Sequence, residues 1–252
     1  MAFIIPEGFR VLILFNRRYV QESGNMDLSG KKVCVTGGNG VLGRAVAKEA
    51  LSLGARVALL DIAFDSDNVL DSSRVDQYVI DLSVLDACTH VFDQIAPFDS
   101  LCNIAGGFAM GPTVYEVSQQ DWDLMFTLNV STAHNAIRAA IPHLVLQGRG
   151  SVVNVGALGA LSGQPHMGAY TASKSVIMRL TEALSGELKG NGINVNAVLP
   201  GVIDTPRNRT DMPDVDPSLW VAPEDLASVI CFLASDAAKA VQGALLPVAG
   251  LS

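Results

Sequence analysis

The chain has 252 residues, 49% of them hydrophobic and 17% charged, which suits one large α/β domain able to bury most of its apolar surface. A formal net charge of −8 excludes the basic footprint of a nucleic-acid binder, and no run of about 18 apolar residues offers a membrane span. The four cysteines and four histidines form no CxxC or metal-ligand spacing, so no metal is expected; the thiols read as small buried hydrophobes in a reducing, cytoplasmic setting.

In chain order, residues 1–25 come first. Their apolar stretch, Val11 to Phe15, is short and is followed, not preceded, by Arg17 and Arg18. That is the wrong order for a secretory signal, so a flexible N-terminal extension is expected, with the domain occupying 26–252. Val33-Cys34-Val35 reads as a first strand, and Val41 to Leu53 as a helix stopped by Gly54. Strands follow at Arg56 to Leu60, ending at Asp61, at Val75 to Ile80, and at Ser100 to Ile104. A long helix is predicted from Ser118 to Gln147, then a strand from Ser151 to Val155 and a helix carrying Tyr170 and Lys174. Ile193 to Leu199 is a sixth strand, Glu224 to Ser235 a helix, and Ala244 to Val248 a last strand. The irregular stretch at about 204–222 reads as a substrate lid. Apolar strands alternating with helices predict a doubly wound Rossmann domain, with a seven-stranded, mostly parallel sheet covered on both faces.

Between the first strand and its helix stands Thr36-Gly37-Gly38-Asn39-Gly40-Val41-Leu42-Gly43. The run Gly38 to Gly43 fits GxGxxG, whose glycines allow a tight turn and whose helix N-terminus attracts a pyrophosphate. Asp61 closes the second strand 18 residues after Gly43. A carboxylate there accepts a hydrogen bond from a ribose 2′-hydroxyl and repels a 2′-phosphate. No Arg or Lys adjoins it in Leu60-Asp61-Ile62-Ala63, so NAD(H) is favoured over NADP(H). Tyr170 and Lys174, spaced i and i+4 on a helix, share a face. A neighbouring ammonium should lower the phenol's pKa from about 10 and make it a usable proton donor.

Taken together, these segments resemble the short-chain dehydrogenase/reductase family from about residue 27 onward. The matching pieces are the glycine turn, Asp81-Leu82, Asn103-Ile104-Ala105-Gly106, Leu128-Asn129-Val130, Tyr170-xxx-Lys174 and Pro200-Gly201-Val202-Ile203-Asp204-Thr205. The resemblance implies that Asp81 and Leu82 meet an adenine and that Asn103, Ala105 and Gly106 back the cofactor. It also implies that Ile203 and Thr205 hold the nicotinamide carboxamide, that Pro200, Gly201 and Val202 belong to the cofactor site, that Lys174 binds the nicotinamide ribose, and that Asn129 helps hold a relay water. Family analogy and the amphipathic helix faces further imply a homodimer or homotetramer.

Two departures stand out. Val41 occupies a position where this branch usually has glycine. The family's catalytic serine would lie thirteen residues before the tyrosine, and that position is Ala157. Ser162 is too far along to replace it surely. Losing such a donor costs an ordinary carbonyl reduction about 3–4 kcal/mol of transition-state stabilisation. The dihydropteridine reductase subgroup resembles the chain at 38–43, 105–111, 156–165 and 204–216, in Trp220, and in the short crossover from Asp61 to Val75. A quinonoid dihydropterin is electron-poor and accepts hydride with less help at an oxygen. The alternatives are a carbonyl or alcohol oxidoreductase acting on another small substrate and a catalytically weak dinucleotide sensor. Phe108, Met110, Ala157, Met212 and Trp220 are candidate substrate-pocket residues.

Overall fold

The computed structural model describes residues 26–65 and 73–250. The expected N-terminal extension, and part of the crossover from Asp61 to Val75, lie outside them. The strands are β1 (Lys32–Thr36), β2 (Arg56–Asp61), β3 (Val75–Val79), β4 (Ser100–Asn103), β5 (Gly150–Val155), β6 (Ile193–Pro200) and β7 (Leu245–Val248). They form one sheet in the order β3-β2-β1-β4-β5-β6-β7. Every pairing is parallel, so the sheet is wholly and not mostly parallel. The central strands β1, β4, β5 and β6 are buried almost residue after residue, as strands with covers on both faces must be. The edges β3 and β7 are only partly buried.

The helices are α1 (Val41–Ser52), α2 (Leu85–Ile95), α3 (Gln119–Phe126), α4 (Thr132–Gln147), α5 (Gly168–Leu188), α6 (Pro206–Asp211) and α7 (Pro223–Ala234). One face of the sheet packs Val35, Leu59 and Val153 against Val46 and Ala50 of α1 and Leu226 and Ile230 of α7. The other packs Leu60, Leu101 and Val195 against Phe92 of α2 and Ala140 and Leu144 of α4. Each large side chain of this kind contributes roughly 1.5–3 kcal/mol by leaving water.

Three expectations change. Helix α2 was not anticipated, although Leu85, Cys88, Val91, Phe92 and Ile95 recur at helical spacing and Cys88, Phe92 and Ile95 are buried. The predicted helix 118–147 is two helices joined by a π-helical turn at Thr127–Ser131. The lid region is not wholly irregular. It contains α6 and a 3₁₀ turn at Pro217–Leu219, and its ends are zipped by a parallel bridge between Ile203 and Val221. The four cysteines are free and buried, as expected. Among the described residues no helix is long and apolar enough to cross a membrane, and no group of side chains could hold a metal ion.

Strand order reverses between β1 and β4: the chain runs from β1 out to β3, then returns to β4 and continues the other way. A ligand crevice lies beyond the carboxyl ends of strands at such a switch point.

Candidate active site

Beyond β1, Thr36 Oγ1 accepts hydrogen bonds from the amides of Ile104 (3.0 Å) and Ala105 (3.1 Å), tying the exits of β1 and β4 together. Gly37 has φ +66°, and a Cβ there would lie 2.9 Å from the Ala105 backbone. Gly43 is crowded differently: a Cβ would lie 2.1 Å from the Gly37 carbonyl oxygen, so α1 packs directly on the turn. Asn39, Gly40 and Leu42 complete this turn, and Gly38 N donates to the Leu60 carbonyl (3.2 Å). Val41 is 43% exposed, which explains why a side chain is tolerated where glycine is usual. The start of α1 has no side-chain cap and no acidic residue in its first turn. Its amides are therefore available to an anion.

Asp61 ends β2 with Oδ2 accepting from Asn39 N (2.8 Å) and Oδ1 from Ile62 N (2.7 Å). The carboxylate is thus braced against the glycine turn, beside the exposed Ile62. Asp81 Oδ1 accepts from Ser83 N (2.8 Å), and these Ser83 bonds hold its carboxyl below the usual range. Leu82 is buried, and the Asn135 amide donates to its carbonyl (3.1 Å) and to that of Ser83 (2.9 Å). The Asn103 side chain is buried, and its Nδ2 donates across the sheet to Asn154 Oδ1 (2.9 Å).

Asn129 lies in the π-helical turn, where the extra backbone residue brings its amide inward. Its Oδ1 accepts from Gly107 N (2.9 Å), and its Nδ2 donates to the Gly107 carbonyl (3.0 Å) and to Ser173 Oγ (3.1 Å). The side chain therefore clamps Gly107 through both of its flanking peptide groups.

Helix α5 carries Tyr170 and Lys174. Lys174 is buried, and its Nζ donates to the Val155 carbonyl (2.9 Å). It stands beside Gly106, where a Cβ would lie 3.2 Å from Nζ and 2.7 Å from Asn129 Oδ1. Burial pulls its ammonium down to about 8 and pushes the Tyr170 phenol up to about 12. The expected lowering of the phenol by its neighbour is thus not seen, because burial alone sets its shift.

Tyr170 packs on the apolar cluster of Ala157, Ala160, Met178 and Leu199. Ala157 is buried, and its methyl offers no hydroxyl. Ser162 is exposed and takes a bond from Gln164 Nε2 (3.1 Å). Phe108 meets Tyr170 edge-on, centroids 4.9 Å apart, while Met110 is exposed. Gly111 N donates to the His166 carbonyl (2.9 Å), joining the loop after β4 to the loop before α5. His166 pays for that stitch with φ 63°.

After β6, Pro200, Gly201, Val202 and Ile203 lead to Thr205, which caps α6 by accepting from Asn208 N (3.1 Å) and leaves its own O–H free of that bond. Arg209 forks onto Asp204 through Nε (2.6 Å) and Nη2 (2.7 Å), fixing the first turn after β6. Met212 is half-buried and Trp220 is 6% exposed.

Sequence reasoning missed Thr36, Ser173, Asn135 and Arg44. The last is the most consequential, since Arg44 Nη2 donates to Asn39 Oδ1 (2.7 Å) beside Asp61. Its position one residue past the glycine run was the available signal.

Residues 31–216 match the short chain dehydrogenase family. The chain is 29% identical to a 3-oxoacyl-[acyl-carrier-protein] reductase of Thermotoga maritima over 243 residues, 89% of this chain and 98% of that protein. It is 32% identical to a 2-(R)-hydroxypropyl-CoM dehydrogenase of Xanthobacter autotrophicus over 242 residues, covering 86% and 96%. A solved Agrobacterium tumefaciens structure, described provisionally as a 2-deoxy-D-gluconate 3-dehydrogenase with bound NADP, is 32% identical with a TM-score of 0.82. That match covers 89% of this chain and 97% of the other.

Proposed function

The chain belongs to the short chain dehydrogenase family, and from that premise we propose that it is an NAD(H)-dependent oxidoreductase whose acceptor needs little polarisation. The observation that carries the reading is the placement of Tyr170 and Lys174 on α5, with Lys174 Nζ beside Gly106 at the carboxyl end of β4, the mouth closed on its other side by the glycine turn. The cofactor, when bound, supplies hydride from its nicotinamide. The first-turn amides of α1 suit its pyrophosphate, Asp61 its adenosine ribose, and Lys174 its nicotinamide ribose. Thr205 has a hydroxyl proton to offer the carboxamide.

Tyr170 holds its proton firmly and delivers it to the substrate atom that gains negative charge. With a phenol near 12, the proton is present throughout the neutral range. Asn129 sets the height of the Gly107 peptide, which carries the Phe108 ring over Tyr170. Ala157 gives the accepting atom no second donor. An electron-poor acceptor tolerates that loss, and a quinonoid dihydropterin is one such compound. The relatives named above favour a second reading, reduction of a small carbonyl or oxidation of an alcohol. An arrangement of homodimers or homotetramers through the α4 and α5 faces accompanies either reading by family analogy.

The test is nicotinamide oxidation followed with quinonoid dihydrobiopterin and with a panel of simple ketones, for the native chain and Ala157→Ser. We expect turnover with NADH on the pterin, and at least a tenfold gain on ketones in Ala157→Ser. Turnover on ketones alone would remove the pterin reading. Tight NADH binding with no turnover on any acceptor would leave a dinucleotide sensor.

A further inference from the structure

The adenosine end of the site holds a cation that the segment around Asp61 does not reveal. Arg44, in the first turn of α1, reaches back over the glycine turn: Nε donates to the Asn39 carbonyl (2.6 Å) and Nη2 to Asn39 Oδ1 (2.7 Å). The same Asn39 donates its backbone amide to Asp61 Oδ2 (2.8 Å). One residue therefore joins the guanidinium to the carboxylate that reads the ribose. Arg44 Nη2 is also 2.9 Å from Asp65 Oδ2, and Asp65 N approaches Asn39 Oδ1 (3.5 Å). The Arg44 side chain is 21% exposed and that of Asp65 is 62% exposed, so the arginine is the seated member and the aspartate the solvent-facing one. Space adjoins Arg44: a cavity of about 350 Å³ is lined by Asn39, Val41, Arg44, Ala45, Lys48 and Glu224.

We propose that Arg44 is a masked ligand for a 2′-phosphate and that Asp65 is the residue that masks it. Cofactor choice then rests on the Arg44–Asp65 pair as well as on Asp61. A guanidinium near the ribose accommodates a 2′-phosphate, whereas a carboxylate repels it. Here both groups are present, and Asp65 tips the balance by occupying a donor of Arg44 and cancelling its charge. An exposed pair of this kind is weakly held, so its removal should change affinity by a small, measurable factor.

The inference rests on the reading of Asp61 as the ribose ligand, and the experiment separates the two. Calorimetry gives the dissociation constants of adenosine 2′,5′-bisphosphate and 5′-AMP, without turnover. The quantity read is their ratio in the native chain, Asp61→Ala, Asp65→Asn, Arg44→Gln and the double variant Asp65→Asn/Arg44→Gln. We expect Asp65→Asn to shift the ratio toward the bisphosphate by roughly threefold to fivefold. The double variant should show no such shift relative to Arg44→Gln. A ratio unmoved by Asp65→Asn but moved by Asp61→Ala would overturn the inference and leave the ribose reading standing. A shift equally large without Arg44 would reduce Asp65 to a general negative charge and also overturn it. If neither aspartate moves the ratio, the ribose reading falls and the inference with it.

Discussion

Lys174 is a buried cation whose ammonium donates to the Val155 carbonyl. Burial lowers its pKa from 10.5 to about 8, so the folded chain holds the charge at a cost of roughly 3 kcal/mol by the ordinary conversion of pKa to free energy. Between pH 8 and 10.5 the unfolded chain binds more protons at this site than the folded one. Stability contributed by the site therefore rises with pH across that window, and the full penalty is present below about pH 8. Lys174→Met, close in size and uncharged, should be the more stable protein at pH 7 while losing activity. Urea unfolding at several pH values checks this; a less stable variant with the native pH profile would show that the ammonium is well solvated. The spacing of Tyr170 and Lys174 made the pair visible in the sequence. Their titration was not visible, because burial is set in part by Val155 and Leu199, which come from other elements. Asp65 was equally hidden, since only folding brings it to Arg44.

At the scale of elements, the glycine turn and the π-helical turn do the positioning. The first was legible, since GxGxxG between a strand and a helix has a mechanical reason at each position. Gly43 is the tightest of these: a Cβ would meet Gly37 O at 2.1 Å, and backbone cannot yield as a side chain can. Gly43→Ala should lose about 1–3 kcal/mol of stability and most NADH affinity, read by thermal unfolding and by cofactor fluorescence. Unchanged values of both would mean that α1 shifts freely on the turn. The π-helical turn was illegible, because the stretch 118–147 keeps helical periodicity through it. The break answers a distant need, the clamp of Asn129 on Gly107 and Ser173. Helix α2 was overlooked for the opposite reason: its apolar spacing is present, but Val84 offers no side-chain cap to mark its start.

For the whole molecule, the alternation of strands and helices sufficed to foresee the doubly wound sheet, and strand ends gathered most of the site residues at one edge. The order β3-β2-β1-β4-β5-β6-β7 explains why: the reversal between β1 and β4 opens the crevice where Gly37, Ala105 and Gly106 meet. The bond of Asn103 to Asn154 was not legible, because a motif match does not say which way a strand-end side chain turns. The account as a whole stands on Tyr170 delivering a proton within this crevice. The most direct measurement is turnover and NADH dissociation constant for Tyr170→Phe beside the native chain, on whichever acceptor the native chain reduces best. The account predicts a fall in turnover of about a hundredfold or more with NADH affinity close to native. Retained turnover would contradict it.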